Sequence, residues 1–187
     1  NGGSSWVSNN IGTGGWIFDV EPEPGNNNRW VAVGGDGFVA STANGVTSLP
    51  GAATWTDHSA ALIAAGWPAA EDVDGVAVIT ASTWMVAGDK GWVGRTTTSG
   101  ASWTVYQLAN GDMVDIDAVS TTEYVAVTSW GNFMRTTTSG VNAGAWTAYN
   151  PSNFDNQYLS ELSVGDATHV YAASRVGSLF RWNGTTF

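Results

Sequence analysis

With 187 residues, 43% of them hydrophobic and 12% charged, the chain is long enough for one domain with a buried core. One lysine and five arginines stand against sixteen acids, and the net charge of −10 provides no basic footprint for nucleic acid or an anionic membrane surface. No cysteine is present, which removes disulfides, thiolate metal sites and a cysteine nucleophile, and no apolar run approaches the ~18 residues of a spanning helix.

Taken in chain order, the predicted elements repeat. A short apolar segment at 16–20 leads to a β-hairpin pattern, Trp30-Val-Ala-Val-Gly-Gly-Asp-Gly-Phe-Val-Ala-Ser41. Residues 59–66 are compatible with a turn or two of helix, capped by Asp57 or Ser59 and stopped at Gly66, and equally with a loop. The segment at 73–80 precedes Trp84-Met-Val-Ala-Gly-Asp-Lys-Gly-Trp-Val-Gly-Arg95. That at 114–120 precedes Tyr124-Val-Ala-Val-Thr-Ser-Trp-Gly-Asn-Phe-Met-Arg135, and that at 159–164 precedes Val170-Tyr-Ala-Ala-Ser-Arg-Val-Gly-Ser-Leu-Phe-Arg181. Each hairpin reads as strand-type residues, a polar turn, a glycine (Gly37, Gly91, Gly131, Gly177) and a second apolar run.

A second landmark follows each hairpin. Thr96-Thr-Thr-Ser-Gly100-Ala-Ser-Trp103 and Thr136-Thr-Thr-Ser-Gly140, leading to Trp146, share one pattern; Ser41-Thr-Ala-Asn-Gly45, leading to Trp55, is a looser copy. Trp6 and Phe187 close truncated versions at the two termini. Landmark aromatics therefore recur about every 45 residues, the period of a propeller blade. The expected fold is all-β: a single β-propeller domain over 1–187, with four-stranded antiparallel blades near 11–58, 70–109, 112–150 and 158–187 plus 1–10. In this reading the N-terminal strand from Trp6 to Asn10 completes the last blade. The competing expectation is a slice of a larger propeller.

The landmark Ser/Thr-x-x-x-Gly-x-Ser/Thr-Trp resembles the Asp-box, or BNR repeat, of sialidase-like and photosystem assembly-factor-like propellers. It departs from that pattern at the third position, where Thr98, Thr138 and Ala43 stand in place of Asp. The resemblance implies a structural turn, with the glycine (Gly45, Gly100, Gly140) shaping it and the aromatic packing between blades. Thr can still bond its own backbone there.

Catalytic motifs are thin. The arginine cluster and Ile-Pro motif that a sialidase would need are missing, since Arg95, Arg135 and Arg181 share one repeat position on different blades. Six acids open the inner strands: Asp19, Asp72, Asp74, Asp115, Asp117 and Glu161. They do not all fall in one register, and alternation sends Asp115 and Asp117 to one face with Ile116 opposite. A pair of channel-facing carboxylates with one raised pKa would favour a glycosidase. His58 and His169 lie in different blades and read as solvated side chains, and no catalytic, metal or cofactor residue is assigned. A cation bound in the channel is neither required nor excluded by these acids.

Tryptophan is the one excess, with eleven. Trp92, Trp130 and Trp182 lie in or beside hairpin turns, and Trp67 on the long connection between the first two blades. With Asp89, Lys90 and Asn132 they form the expected ligand-binding set. The expected function is a non-catalytic binding or assembly module with a protein or carbohydrate partner, compatible with a homo-oligomer or larger assembly. The Thr-, Ser-, Asn- and Gly-rich composition suits an extracellular or virion-surface component. Two alternatives stand: a fragment of a sialidase-like or xyloglucanase-like hydrolase, and an assembly factor for a membrane protein complex, which lacks the arginine-rich patch implied by that resemblance.

Overall fold

The computed structural model describes residues 10–12, 15–45, 54–149 and 158–185. Strands β1 (Ile17–Glu23), β2 (Asn26–Gly34), β3 (Phe38–Thr42) and β4 (Trp55–Asp57) form the first antiparallel sheet in sequential order. The second contains β5 (Val73–Val78), β6 (Trp84–Gly88), β7 (Trp92–Thr96) and β8 (Thr104–Gln107). The third contains β9 (Met113–Ala118), β10 (Tyr124–Thr128), β11 (Phe133–Thr136) and β12 (Trp146–Tyr149). Among the described residues the fourth has three strands, β13 (Leu159–Asp166), β14 (His169–Ser174) and β15 (Leu179–Trp182). These sheets are four blades of a β-propeller. Trp6, Phe187 and the expected closing strand, apart from Asn10, lie outside the described residues.

Strand alternation builds the core between blades rather than within one sheet. In β10, Tyr124 and Ala126 enter a cluster with Met85, Ala87 and Met113 between the second and third blades. Val125 and Val127 point the other way, into a cluster with Leu162, Val170 and Trp182 between the third and fourth. Val31, Val33 and Val39 pack against Val76, Trp84 and Val86 to join the first and second. Each such side chain contributes about 1.5–3 kcal/mol on burial.

One helix, α1 (Ser59–Ala64), fills the space beside this first core with Leu62. His58, rather than the expected Asp57 or Ser59, is its N-cap residue and makes no capping side-chain bond; Asp57, one residue earlier, accepts the Ser59 N–H at 2.8 Å, and Gly66 follows the last turn at φ +115°. His58 is not solvated as expected. It bonds Ser41 Oγ at 2.9 Å and lays its ring 5.4 Å from Trp84, and burial holds its pKa below the ordinary value.

The landmark segments are tight turns. Thr96 Oγ1 accepts the Thr98 and Gly100 amides, both at 3.1 Å, and Gly100 and Gly140 have positive φ. A Cβ on Gly100 would lie 2.5 Å from the His58 ring, and one on Gly140 would lie 2.9 Å from Met85 Cε, so each turn presses on the preceding blade. Gly45 instead donates its N–H to the Asn28 carbonyl at 2.7 Å. Trp146 is buried and donates its indole N–H to Tyr106 Oη at 2.9 Å; Trp103 and Trp55 are half-buried.

Candidate functional site

All four inner strands carry the same irregularity. The pairing register skips Phe18 in β1, Asp74 in β5, Val114 in β9 and Ser160 in β13. A β-bulge leaves its extra residue outside the ladder and re-aims the side chain. Here all four bulged residues line one pocket of about 210 Å³, joined by Asp19, Asp115, Glu161 and Arg175. One bulge per blade therefore builds a common mouth at one end of the sheets.

Immediately after the bulge, Asp19, Asp115 and Glu161 occupy one register, opposite Val33, Val127 and Ala173. The second blade has Gly75 there, because a Cβ would stand 2.8 Å from Asp115 Cα. The acids act largely as staples. Asp19 accepts its neighbour's Val20 N–H and, at 2.9 Å, the Val76 N–H of the next blade. Asp115 accepts the Ile116 and Leu162 amides at 2.7 and 2.6 Å, and Asp117 accepts those of Ala118 and Val164. Ile116 faces the opposite core, as alternation requires.

Burial raises the pKa of each of these carboxyls above its ordinary value. Burial pushes Asp115 up to about 8, with Glu161 and Asp19 adding repulsion and the two amides opposing it. Asp74 rises to about 7 by burial and the charges of Asp89, Asp72 and Asp112, against the pull of Arg175. Burial and neighbouring acids carry Glu21 to about 7 and Asp117 to about 6. Among the described residues no group of three or more His, Cys, Asp or Glu side chains is arranged to hold a metal ion. Glu21 and Arg175 escaped the sequence reading; hairpin register alone, which puts Glu21 in line with Asp117, could have found the first.

The hairpin turns share this end. Gly35, Asp89, Ser129 and Arg175 each donate an N–H to the carbonyl just before their own inner strand, that of Trp16, Asp72, Asp112 and Tyr158. The next turn residue reaches the following blade: Asp36 N–H to Asp72 Oδ1 at 2.9 Å, and Lys90 N–H to Asp112 Oδ1 at 3.0 Å. At the third junction the same two positions hold Trp130 and Tyr158, whose ring centroids are 5.8 Å apart.

The candidate ligand-binding residues separate by burial. Trp130 is 66% exposed, and Lys90 is exposed but paired with Glu71. Asp89, Trp92 and Asn132 are half-buried around these turns. Trp67 and Trp182, by contrast, are 1% and 2% exposed and offer no surface to a ligand. Trp67 packs in the first core with its indole N–H on the Glu71 carbonyl, and Trp182 stacks 5.4 Å from Phe133 with the Arg135 guanidinium 5.9 Å from its ring centroid. Arg95, Arg135 and Arg181 do share one register on separate blades, opposite Met85, Val125 and Tyr171.

No protein-family model matches the sequence, and no curated protein matches it. Solved structures do. YCF48 from Cyanidioschyzon merolae superposes with a TM-score of 0.64 at 14% identity, covering 100% of this chain and 54% of that one. YCF48 bound to D1 peptide gives 0.57 at 15% identity, covering 90% and 66%. Sqt1 from Chaetomium thermophilum, bound to the N-terminus of the ribosomal protein L10, gives 0.62 at 12% identity, covering 89% and 43%. The likeness is one of fold. These neighbours are β-propellers, and this chain spans about half their length.

Proposed function

We propose that the chain is a non-catalytic binding module that holds an extended, cationic segment of a partner protein across the mouth formed by its bulged strands. The observation that carries this reading is the Trp130–Tyr158 pair, two exposed rings at the same end of the sheets as an acid-lined pocket. Exposed aromatic rings supply apolar contact area at low entropic cost. Asp36, Asp72, Asp89 and Asp112 crowd the same turns, while Glu71 occupies Lys90, so the face attracts positive charge. Neighbouring propellers caught with a D1 peptide and with the L10 N-terminus lend support, since a polypeptide segment is the bound partner in both.

Titration calorimetry with Arg- and Lys-rich peptides, and with the same peptides carrying Glu instead, tests the reading. Binding of the cationic set alone, weakened about tenfold or more by joint Trp130→Ala and Tyr158→Ala, is the expected result. Binding of neither set, or binding unchanged by the double substitution, overturns it.

A second reading rests on one observation: Asp74 and Asp115, held at about 7 and 8, line the same pocket, a carboxyl pair suited to donating a proton. Under it, aryl glycosides are hydrolysed with a pH profile that Asp74→Asn abolishes. Both Asp115 oxygens are already engaged by backbone amides, which favours the binding role.

A further inference from the structure

The inner strands bring one carboxyl from every blade to the pocket: Asp19, Asp74, Asp115 and Glu161. Phe18 and Val114 add apolar wall. The volume, about 210 Å³, falls below the roughly 300–1,000 Å³ of sites that enclose a whole small molecule, and suits a single side chain. The four carboxyls are not equally open. Both oxygens of Asp19 take amides, those of Val20 and Val76, and both of Asp115 take those of Ile116 and Leu162. Glu161 hydrogen-bonds Asp115 through its side chain, a contact that two carboxyls make only by holding a proton between them. Asp74 makes no side-chain hydrogen bond among the described residues. A guanidinium forks onto both oxygens of one carboxyl, and Asp19 and Asp115 have no open edge for it. An ammonium is a compact charge with donors spread around its axis, so it can take one lone pair from each of several carboxyls.

We propose that this pocket is a socket for one primary ammonium group on an unbranched alkyl stem, the end of a lysine side chain in the partner segment, with the charge among the four carboxyls and the stem against Phe18 and Val114. The inference rests on the binding role proposed above only for what carries the ammonium. Arg175, exposed and lining the same pocket from the fourth blade, opposes entry: its charge already acts on Asp74 of the second blade. Entry of a cation favours the ionised carboxyls, so it expels protons from Asp74 and Asp115, held at about 7 and 8. The charged groups facing Asp74 are Asp89, Asp72, Asp112 and Arg175, and those facing Asp115 are Glu161 and Asp19, so acids outnumber the one cation around both. Affinity therefore rises from about pH 6 to about pH 8, a range in which an alkylamine keeps its charge.

Titrations of the protein with n-butylammonium, n-propylguanidinium and n-butanol, followed by amide NMR shifts, test the socket without any peptide. Butylammonium should shift Val114 and Ser160 saturably, bind about fivefold or more tighter than propylguanidinium, and gain about tenfold between pH 6 and pH 8. Butanol should leave both amides in place. Asp74→Asn should weaken butylammonium about tenfold or more. Arg175→Gln, at an exposed position, should tighten it severalfold, a readout that survives if the Asp74 variant does not fold. A peptide with one central lysine should displace butylammonium, and acetylation of its Nε should end the displacement. No saturable shift, equal affinity for the two cations, or indifference to Arg175→Gln overturns the proposal and leaves the Trp130–Tyr158 reading standing. Butylammonium that binds but is not displaced overturns the lysine assignment; the segment reading falls as well only if the cationic peptides do not bind at all.

Discussion

Asp115 Oδ2 accepts the Leu162 N–H at 2.6 Å, tying the innermost strand of the third blade to that of the fourth with a side chain rather than a strand ladder. Asp19 does the same for Val76 between the first and second. Adjacent blades pack face to face with no shared sheet edge, and Asp117 adds a further tie of this kind by accepting the Val164 N–H of the fourth blade at 3.1 Å.

Asp115→Ala leaves the Ile116 and Leu162 amides without acceptors in a buried site and should cost about 2–4 kcal/mol. Asp115→Asn keeps one acceptor and should cost about half as much. Urea unfolding monitored by tryptophan fluorescence distinguishes the two; equal losses would mean that the side chain acts by volume alone.

Stability should fall as pH rises from about 4 to about 8. In the folded chain Asp115, Asp74, Glu21 and Asp117 hold their protons up to about 8, 7, 7 and 6, whereas unfolding returns them to ordinary carboxyl values near 4. The native state therefore binds more protons in this window, and raising the pH favours unfolding. Melting temperatures at pH 5, 6, 7 and 8 should decline in order, with a shallower decline in Asp115→Asn.

Gly75→Ala should destabilise by about 1–3 kcal/mol although it adds one methyl group, because that group would meet Asp115 backbone at 2.8 Å. Gly75 has no positive φ, so its loss reports the clash, whereas Gly66→Ala, at φ +115° with open space around it, reports the opposite case of backbone strain without a clash. Thermal melts of both variants measure the difference.

Trp182→Ala and Trp146→Ala should each cost about 3–5 kcal/mol, since both rings are buried between blades. Trp130→Ala should change stability by no more than about 0.5–1 kcal/mol. Chemical denaturation of the three side by side is the measurement, and a large loss at Trp130 would place it in the core.

The architecture was legible because blade repetition writes itself into the hairpins: strand-type residues, a turn and a glycine at Gly37, Gly91, Gly131 and Gly177, all of which adopt positive φ. The arginine register and the common face of Asp115 and Asp117 followed from alternation. What escaped was packing that breaks the repeat. Trp182 holds the register of Thr42, Thr96 and Thr136, buried residues whose small hydroxyl side chains give no hint that an indole fits there. Trp67 looked like a loop residue because its cover, α1, was itself ambiguous. The alignment of Asp19 with Asp115 and Glu161 was hidden by the longer first hairpin: Asp19 stands 14 residues before its partner Val33, whereas Asp115 and Glu161 stand 12 before Val127 and Ala173, and the bulges, one residue further out, leave that offset unchanged.

Those bulges bear on direction. A mouth built by repetition could have been pseudosymmetric, presenting the same group from every blade and letting a bound chain settle in several rotations. Instead the four unpaired positions hold a phenyl ring, a carboxyl, an isopropyl group and a hydroxyl: Phe18, Asp74, Val114 and Ser160. Being outside the ladder, each can differ without disturbing the strands that present it. A segment lying across the mouth meets unlike chemistry in every quadrant, so the scaffold repeats while its reading frame for a ligand does not.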